Sequence, residues 1–404
     1  LNKEIKKFND YSKVYLIHEL NIKKNLDDLK FNLISSKNIK FWDKEFNMNI
    51  YKNNLQLMHG INNIFPGSAY LDLYNDALYV VSSTGIIGKS TILSEDKILF
   101  KQIKNNISDF INIKQFQKDN WFSIKDLLVV NNKIYISYSD ELYNDCWATS
   151  LLEGTLDKEY IYFERVFRSN QCAHISENPD KEFNAHQSGG RIINLDNLNL
   201  LFSHGDYRQR QLSQDLSSVF GKILKINLLN KNYKIISMGH RNPQGLLFDE
   251  NKNIILSTEH GPQGGDEINL IPNNFAKINN YGWPISSYGE HYKGRVEENN
   301  LKYKKYPLLK SHSDHGFIEP LKYFTPSIGI SEIIKFGLND YFVTSLKDKS
   351  IYVFNLENEI IKNLERIEIG ERVRDAIYKN NKAYLFLEDS ASIAIINFNS
   401  KNYD

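Results

Sequence analysis

Cysteine is nearly absent from this chain: Cys146 and Cys172 are the only two. There is no Cys-x-x-Cys and no Cys/His spacing of a zinc site, so thioredoxin-type redox chemistry and structural zinc modules are excluded. Two thiols make at most one disulfide, which would suit an oxidising compartment; two buried thiols are the other reading. Long apolar runs are missing as well, so no membrane span is expected. Residues 1–30 are polar and charged and lack the apolar segment of a secretory leader. The chain opens at Leu1, so its compartment is not legible from this end. Excess charge of either sign is also lacking. Fifty Lys and Arg against 49 Asp and Glu leave +1, which gives no reason to expect nucleic acid or an anionic membrane as partner. Gly-x-Ser-x-Gly, His-Glu-x-x-His and Gly-x-Gly-x-x-Gly do not occur, which removes support for serine hydrolase, zincin and nicotinamide chemistry.

What is present is a recurring hairpin. An apolar strand, a short turn rich in Asn and Asp, and a second strand occur six times. The hairpins span 69–87, 127–139, 191–203, 246–258, 333–346 and 376–387. Their turns lie at Asn75-Asp76, Asn131-Asn132, Asp196-Asn197, Glu250-Asn251, Asn339-Asp340 and Asn380-Asn381. The second strands are β-branched and aromatic, as buried strands are; Leu78-Tyr79-Val80-Val81 and Tyr341-Phe342-Val343-Thr344 are examples. From Asn75 to Asn380, five intervals over 305 residues average 61, room for four strands and their loops. Sustained helical periodicity is rare, which disfavours a parallel α/β fold. The expectation is an all-β protein: a six-bladed β-propeller of four-stranded antiparallel blades over residues 66–404. Residues 1–65 are expected to be an N-terminal extension or part of the closing blade. A long β-sandwich would give similar hairpins.

The densest motifs lie between residues 186 and 284. They are His186-Gln187-Ser188-Gly189-Gly190-Arg191, Gly239-His240-Arg241-Asn242-Pro243-Gln244-Gly245, Glu259-His260-Gly261-Pro262-Gln263-Gly264-Gly265-Asp266-Glu267-Ile268-Asn269 and Asn280-Tyr281-Gly282-Trp283-Pro284. In order and wording these runs resemble the glucose/sorbosone dehydrogenase family over about residues 121–397. The resemblance implies a propeller that uses pyrroloquinoline quinone (PQQ) and Ca²⁺ to oxidise an aldose or related polyol.

By that resemblance Arg241, Asn242, Lys347, Arg372 and Arg374 match cofactor-contacting positions. PQQ carries three carboxylates, which guanidinium groups bind bidentately. Residues two apart on a strand point the same way, so Arg372 and Arg374 can serve one ligand. The resemblance also assigns calcium to the carbonyls of Gly261 and Pro262, where the ion would act as a Lewis acid. Glu267 and Tyr281 resemble ligands of a second, structural calcium, although the insert at residues 273–277 stretches their spacing. His186 matches the catalytic base, a role that neutral imidazole suits near pH 7. His204, His240 and His260 read as packing residues, and His312-Ser313-Asp314-His315 as an exposed loop.

Three departures stand on the substrate side: Ala185 where an Asp is usual, Trp121 where a Gln is usual, and the added glycine of Gly189-Gly190, which permits a bulge. The combination suggests a retained cofactor and an altered substrate. Electrons would leave to a cytochrome or small redox carrier, and the location implied is periplasmic or secreted. A cofactor-free binding propeller and a calcium-dependent lactonase are the alternatives. The lactonase would need a carboxylate-rich axial metal site.

Overall fold

The computed structural model describes residues 29–53, 68–111, 114–119, 121–157, 159–292 and 304–398. Among them the protein is almost entirely β, with a four-residue α-helix at Gln115–Lys118. Its sheets are arranged as a propeller. All six expected hairpins are present as antiparallel pairs. Three of their turns hold both central residues at positive φ: Asn75 and Asp76, Asn131 and Asn132, Asn380 and Asn381. Tight hairpin turns of this kind match the strand twist, and Asn and Asp tolerate that backbone at low cost.

The innermost strands are Ala69–Tyr74, Ile124–Val130, Gly189–Asp196, Pro243–Asp249, Ile330–Lys335 and Val373–Lys379. Each contacts the next in this order, and the last returns to the first. From each, further strands run outward; Ile330–Lys335, for instance, is followed by Asp340–Ser345, Ser350–Glu357 and Ile360–Glu368. Six buried apolar clusters fill the wedges between neighbouring sheets. One joins Phe342 and Ile351 to Leu385 and Ile396; another joins Tyr135 and Trp147 to Phe202 and Leu224. Burying each such side chain contributes roughly 1.5–3 kcal/mol, so the stability of the ring lies between sheets.

The early part of the chain closes the circle. Lys44–Asn53 pairs with Ser392–Asn397, and its hairpin partner Leu29–Phe41 pairs with Lys97–Asn105. Residues 1–28 and 54–65 of the expected extension lie outside the described residues. Cys146 and Cys172 form a disulfide of 2.06 Å, which settles the choice left open above. Among the described residues no helix is long and apolar enough to cross a membrane.

The innermost strands diverge and form no backbone ladder with one another, so their N–H groups need other acceptors. Side-chain carboxylates supply them. Asp72 accepts from Val129 N, Asp126 from Ile192 N at 2.6 Å, and Asp375 from Leu71 N at 2.7 Å. Each bond crosses from one innermost strand to the next. Five of the six innermost strands also carry a register shift near their start, at 124–126, 189–192, 243–245, 330–333 and 373–375. A bulge re-aims side chains; here it sets the direction of Lys125, Gln244 and Arg374.

Candidate functional site

Two ends of the axial channel differ in charge. Toward the starts of the innermost strands, cations gather. Arg374 is buried, bonds Glu388 through Nη2 at 2.9 Å and lies over the Trp121 ring at 5.6 Å. Arg372 bonds the same carboxylate through Nε at 2.8 Å. Both guanidinium groups therefore turn to one side, as their spacing requires, and share a single anion. Burial raises the Glu388 pKa, but Arg374 and Arg372 outweigh it and hold the carboxyl below its ordinary value.

Arg241 sits on the neighbouring wall. Its Nη1 donates to His260 O at 2.9 Å and its guanidinium faces Trp283 at 5.4 Å. The Gln187 amide accepts from Arg241 Nη2 at 2.9 Å and donates to Asp206 at 2.8 Å. Asn242 Oδ1 accepts from Gly189 N at 3.1 Å, so it braces the His186 loop.

His186 faces this group. Its ring lies 4.6 Å from Trp121, although part of it remains exposed to solvent. Burial against protein, then the charges of Lys125, Arg374, His260 and Arg372, lower its pKa to about 4. The imidazole is thus held neutral above about pH 4. His260 was read as packing, yet it lines the cleft described next, and burial followed by Arg241, Arg374 and Arg372 lowers it to about 3.

A cleft of about 710 Å³ opens beside these residues, lined by His260, Gly261, Pro262, Lys347 and Arg372 among others. Lys347 is exposed on its wall. Gly261 N donates to Asp266 Oδ1 at 3.1 Å, and Asp266 also accepts from Gly329 N at 2.7 Å, which fixes the Gly261-Pro262 turn across two sheets. A Cβ on Gly261 would strike the carbonyls of Gly264 and Gly265, so only glycine fits that turn. The cleft wall thus carries two cations, Lys347 and Arg372, beside the Gly261-Pro262 turn.

Glu267 and Tyr281 line the same small void, together with Glu259 and His312. The Tyr281 hydroxyl donates to Leu270 O, and its ring stacks on His240 at 4.8 Å. Glu267 lies 3.5 Å from His312 Nε2, in a void of about 10 Å³, room for one water. Calcium takes six to eight oxygens. Among the described residues no group of three or more His, Cys, Asp or Glu is arranged to hold a metal. Ser313, Asp314 and His315 are exposed, as expected of that loop, whereas His312 itself is 1% exposed.

Farther along the channel the charge reverses. Arg191 Nη1 lies 2.6 Å from Asp126, 2.7 Å from Glu332 and 2.7 Å from Asp375, all buried. A carboxylate-rich axis of the kind a lactonase needs is thus present, but a guanidinium fills its centre.

Sequence reasoning missed Lys125. It is 7% exposed, its Nζ donates to Trp121 O and lies over the Trp121 ring at 5.9 Å. Burial pulls its pKa down to about 7. The signal was available: a lysine inside a strand that is otherwise apolar on that side. Gly190 is needed beside it, because a Cβ there would overlap Lys125 Cβ.

A family model described as Glucose / Sorbosone dehydrogenase matches residues 126–397. Aldose sugar dehydrogenase YliI of Escherichia coli strain K12 is 28% identical over 299 residues, covering 67% of this chain and 74% of that protein. The crystal structure of the soluble aldose sugar dehydrogenase from Escherichia coli in its apo-form matches with TM-score 0.65 and 20% identity, over 85% of this chain and 97% of that one. The PQQ-bound aldose sugar dehydrogenase from Streptomyces coelicolor matches with TM-score 0.59 and 17% identity, over 81% and 92%. The two structures share the fold.

Proposed function

Because this chain belongs to the glucose/sorbosone dehydrogenase family, we propose that it is a PQQ- and Ca²⁺-dependent enzyme that oxidises an aldose or related polyol with His186 as base. One observation carries this reading: His260, Lys347 and Arg372 line one cleft, Arg241, Arg374 and Arg372 all act on His260, and Arg374 and Arg372 act on His186 as well. Arg241, Asn242, Lys347, Arg372 and Arg374 would hold the quinone, and the Gly261 and Pro262 carbonyls would hold a calcium ion that polarises it. Bound PQQ supplies the two-electron acceptor for the hydride leaving C1. His186 takes the C1 hydroxyl proton, so a cyclic aldose leaves as its lactone. The ring is ready to accept that proton because it is neutral above about pH 4. Trp121 packs on the imidazole and limits its rotation.

The same reading counts the ring as six four-stranded blades over residues 66–404, with part of residues 1–65 closing the last blade. The cyclic contact of the innermost strands and the pairing of Lys44–Asn53 with Ser392–Asn397 support it. A cytochrome or small redox carrier would take the electrons onward. The disulfide suits a periplasmic or secreted location. The test is equilibrium titration of the full chain with PQQ and calcium, followed by dye reduction with aldoses. Saturable uptake and sugar-dependent reduction are expected; a chain that takes up no quinone would refute the reading.

A further inference from the structure

Among the described residues the charges around His186 are unevenly matched. Arg372 and Arg374 share Glu388. Lys347 and Arg372 line the cleft with the Gly261-Pro262 turn. Lys125 belongs to neither arrangement. Its neighbours are Trp121, His186 and Arg374. Its one hydrogen bond among the described residues goes to the Trp121 carbonyl. Asp119 is the carboxylate that acts on it, and it lies beyond ion-pair range. An ammonium has three donors, and a buried cation without an anion in ion-pair range is costly unless a ligand supplies one. The strand start that holds it is fixed by the 124–126 bulge and by Gly190 against its Cβ, so the placement is built into the fold.

We infer that Lys125 is a specificity-determining residue, and that the sugar oxidised here carries a carboxylate which Lys125 binds beside His186. This rests on the dehydrogenase reading and names its substrate class. Trp121 supplies a flat apolar wall for the sugar ring, and its backbone carbonyl holds the ammonium in place. A carboxylate brought against a partly dehydrated ammonium makes a charge-assisted hydrogen bond, which a neutral hydroxyl does not match. The reaction itself is unaltered: C1 loses hydride and its hydroxyl loses a proton, while the carboxylate remains unreacted.

The test compares glucuronate, glucose and glucose 6-phosphate as substrates of the PQQ- and calcium-loaded chain with a dye acceptor. Glucuronate should exceed glucose in kcat/KM by roughly tenfold or more, the discrimination of one buried charged contact. Lys125→Met should collapse that ratio toward one, and Lys125→Arg should restore part of it. Equal use of glucuronate and glucose by the unaltered chain overturns the inference, as does a preference that survives Lys125→Met. A preference for glucose 6-phosphate over glucuronate overturns the carboxylate assignment. Quinone titration separates the remaining cases. If the unaltered chain takes up quinone and Lys125→Met does not, Lys125 belongs to the cofactor cradle and the inference fails while the dehydrogenase reading stands. If the unaltered chain takes up none, that reading falls and this one with it.

Discussion

Two of the innermost strands change sign from one residue to the next. Lys125 is followed by Asp126, and Arg374 by Asp375. The first member of each pair faces His186; the second faces Arg191. At the His186 end cations outnumber anions, and Glu388 is shared by two arginines. At the Arg191 end three carboxylates meet one guanidinium. Both ends are built on the same strands, so the difference is one of satisfaction rather than of scaffold. The acidic end spends its oxygens on backbone N–H groups and on Arg191, and it is complete. The cationic end is left short of anions, and a surface that is complete for folding has no reason to be so.

The comparison predicts unequal costs. Arg191→Met should be the most damaging single change, since Asp126, Glu332 and Asp375 would stay buried around an uncharged side chain. Removing one partner of a buried ion pair typically costs about 3–5 kcal/mol, which urea unfolding would register as a lower midpoint. A variant as stable as the parent would mean that the carboxylates are already protonated and the acidic end is not a structural lock. His186→Ala should do the reverse. The urea midpoint should barely move, because the ring is partly exposed, while turnover should fall by about 10²–10⁴-fold, the usual yield of a general base. Quinone uptake should persist in that variant. Loss of uptake would place His186 among the cofactor contacts.

Arg372 and Arg374 sharpen the contrast within one pair. Arg374 is 4% exposed and holds both oxygens of Glu388; the Arg372 side chain is 18% exposed. Arg374→Ala should therefore cost stability as well as quinone affinity, whereas Arg372→Ala should cost mainly affinity. Parallel urea and quinone titrations would separate the two effects, and equal stability losses would contradict the division.

Much of this was legible beforehand. The hairpins were visible because Asn and Asp occupy turns that need positive φ, and because the second strands are apolar on both faces. The wording around Gly261 pointed to the cleft that this turn lines. The bulge expected at Gly189-Gly190 is there, but it is one of five, a recurrence hidden because the other strands achieve it without paired glycines. The Arg191 lock was not legible, since its partners come from innermost strands 65 to 184 residues away in sequence. Lys125 was passed over because a lysine usually signals a solvated face. Glu388 was also missed, and without it the two arginines of the 372–374 pair looked like free cations.

The smallest expected effect concerns pH and belongs to the acidic end. Burial raises Asp72 to about 7, against the hydrogen bonds from Val129 and Leu73 that pull it down, and raises Asp126 to about 7 despite Arg191. Their ordinary value is 3.8. For carboxyls shifted upward, the folded chain holds more protons than the unfolded chain between those limits, so stability falls as pH rises through the window. The protein should thus unfold at higher temperature near about pH 5 than near about pH 8. Asp72→Asn tests the assignment. The amide oxygen can still accept from a backbone N–H, but it does not titrate, so the difference in melting temperature between the two pH values should shrink. His186 is the control from the cationic end: its shift is downward, so it influences stability only on the acid side of about pH 6.5. A slope that is unchanged in Asp72→Asn would move the origin of the pH dependence to Asp126 and Glu332, where Arg191 couples the carboxyls, and Asp126→Asn would then be the variant to flatten it.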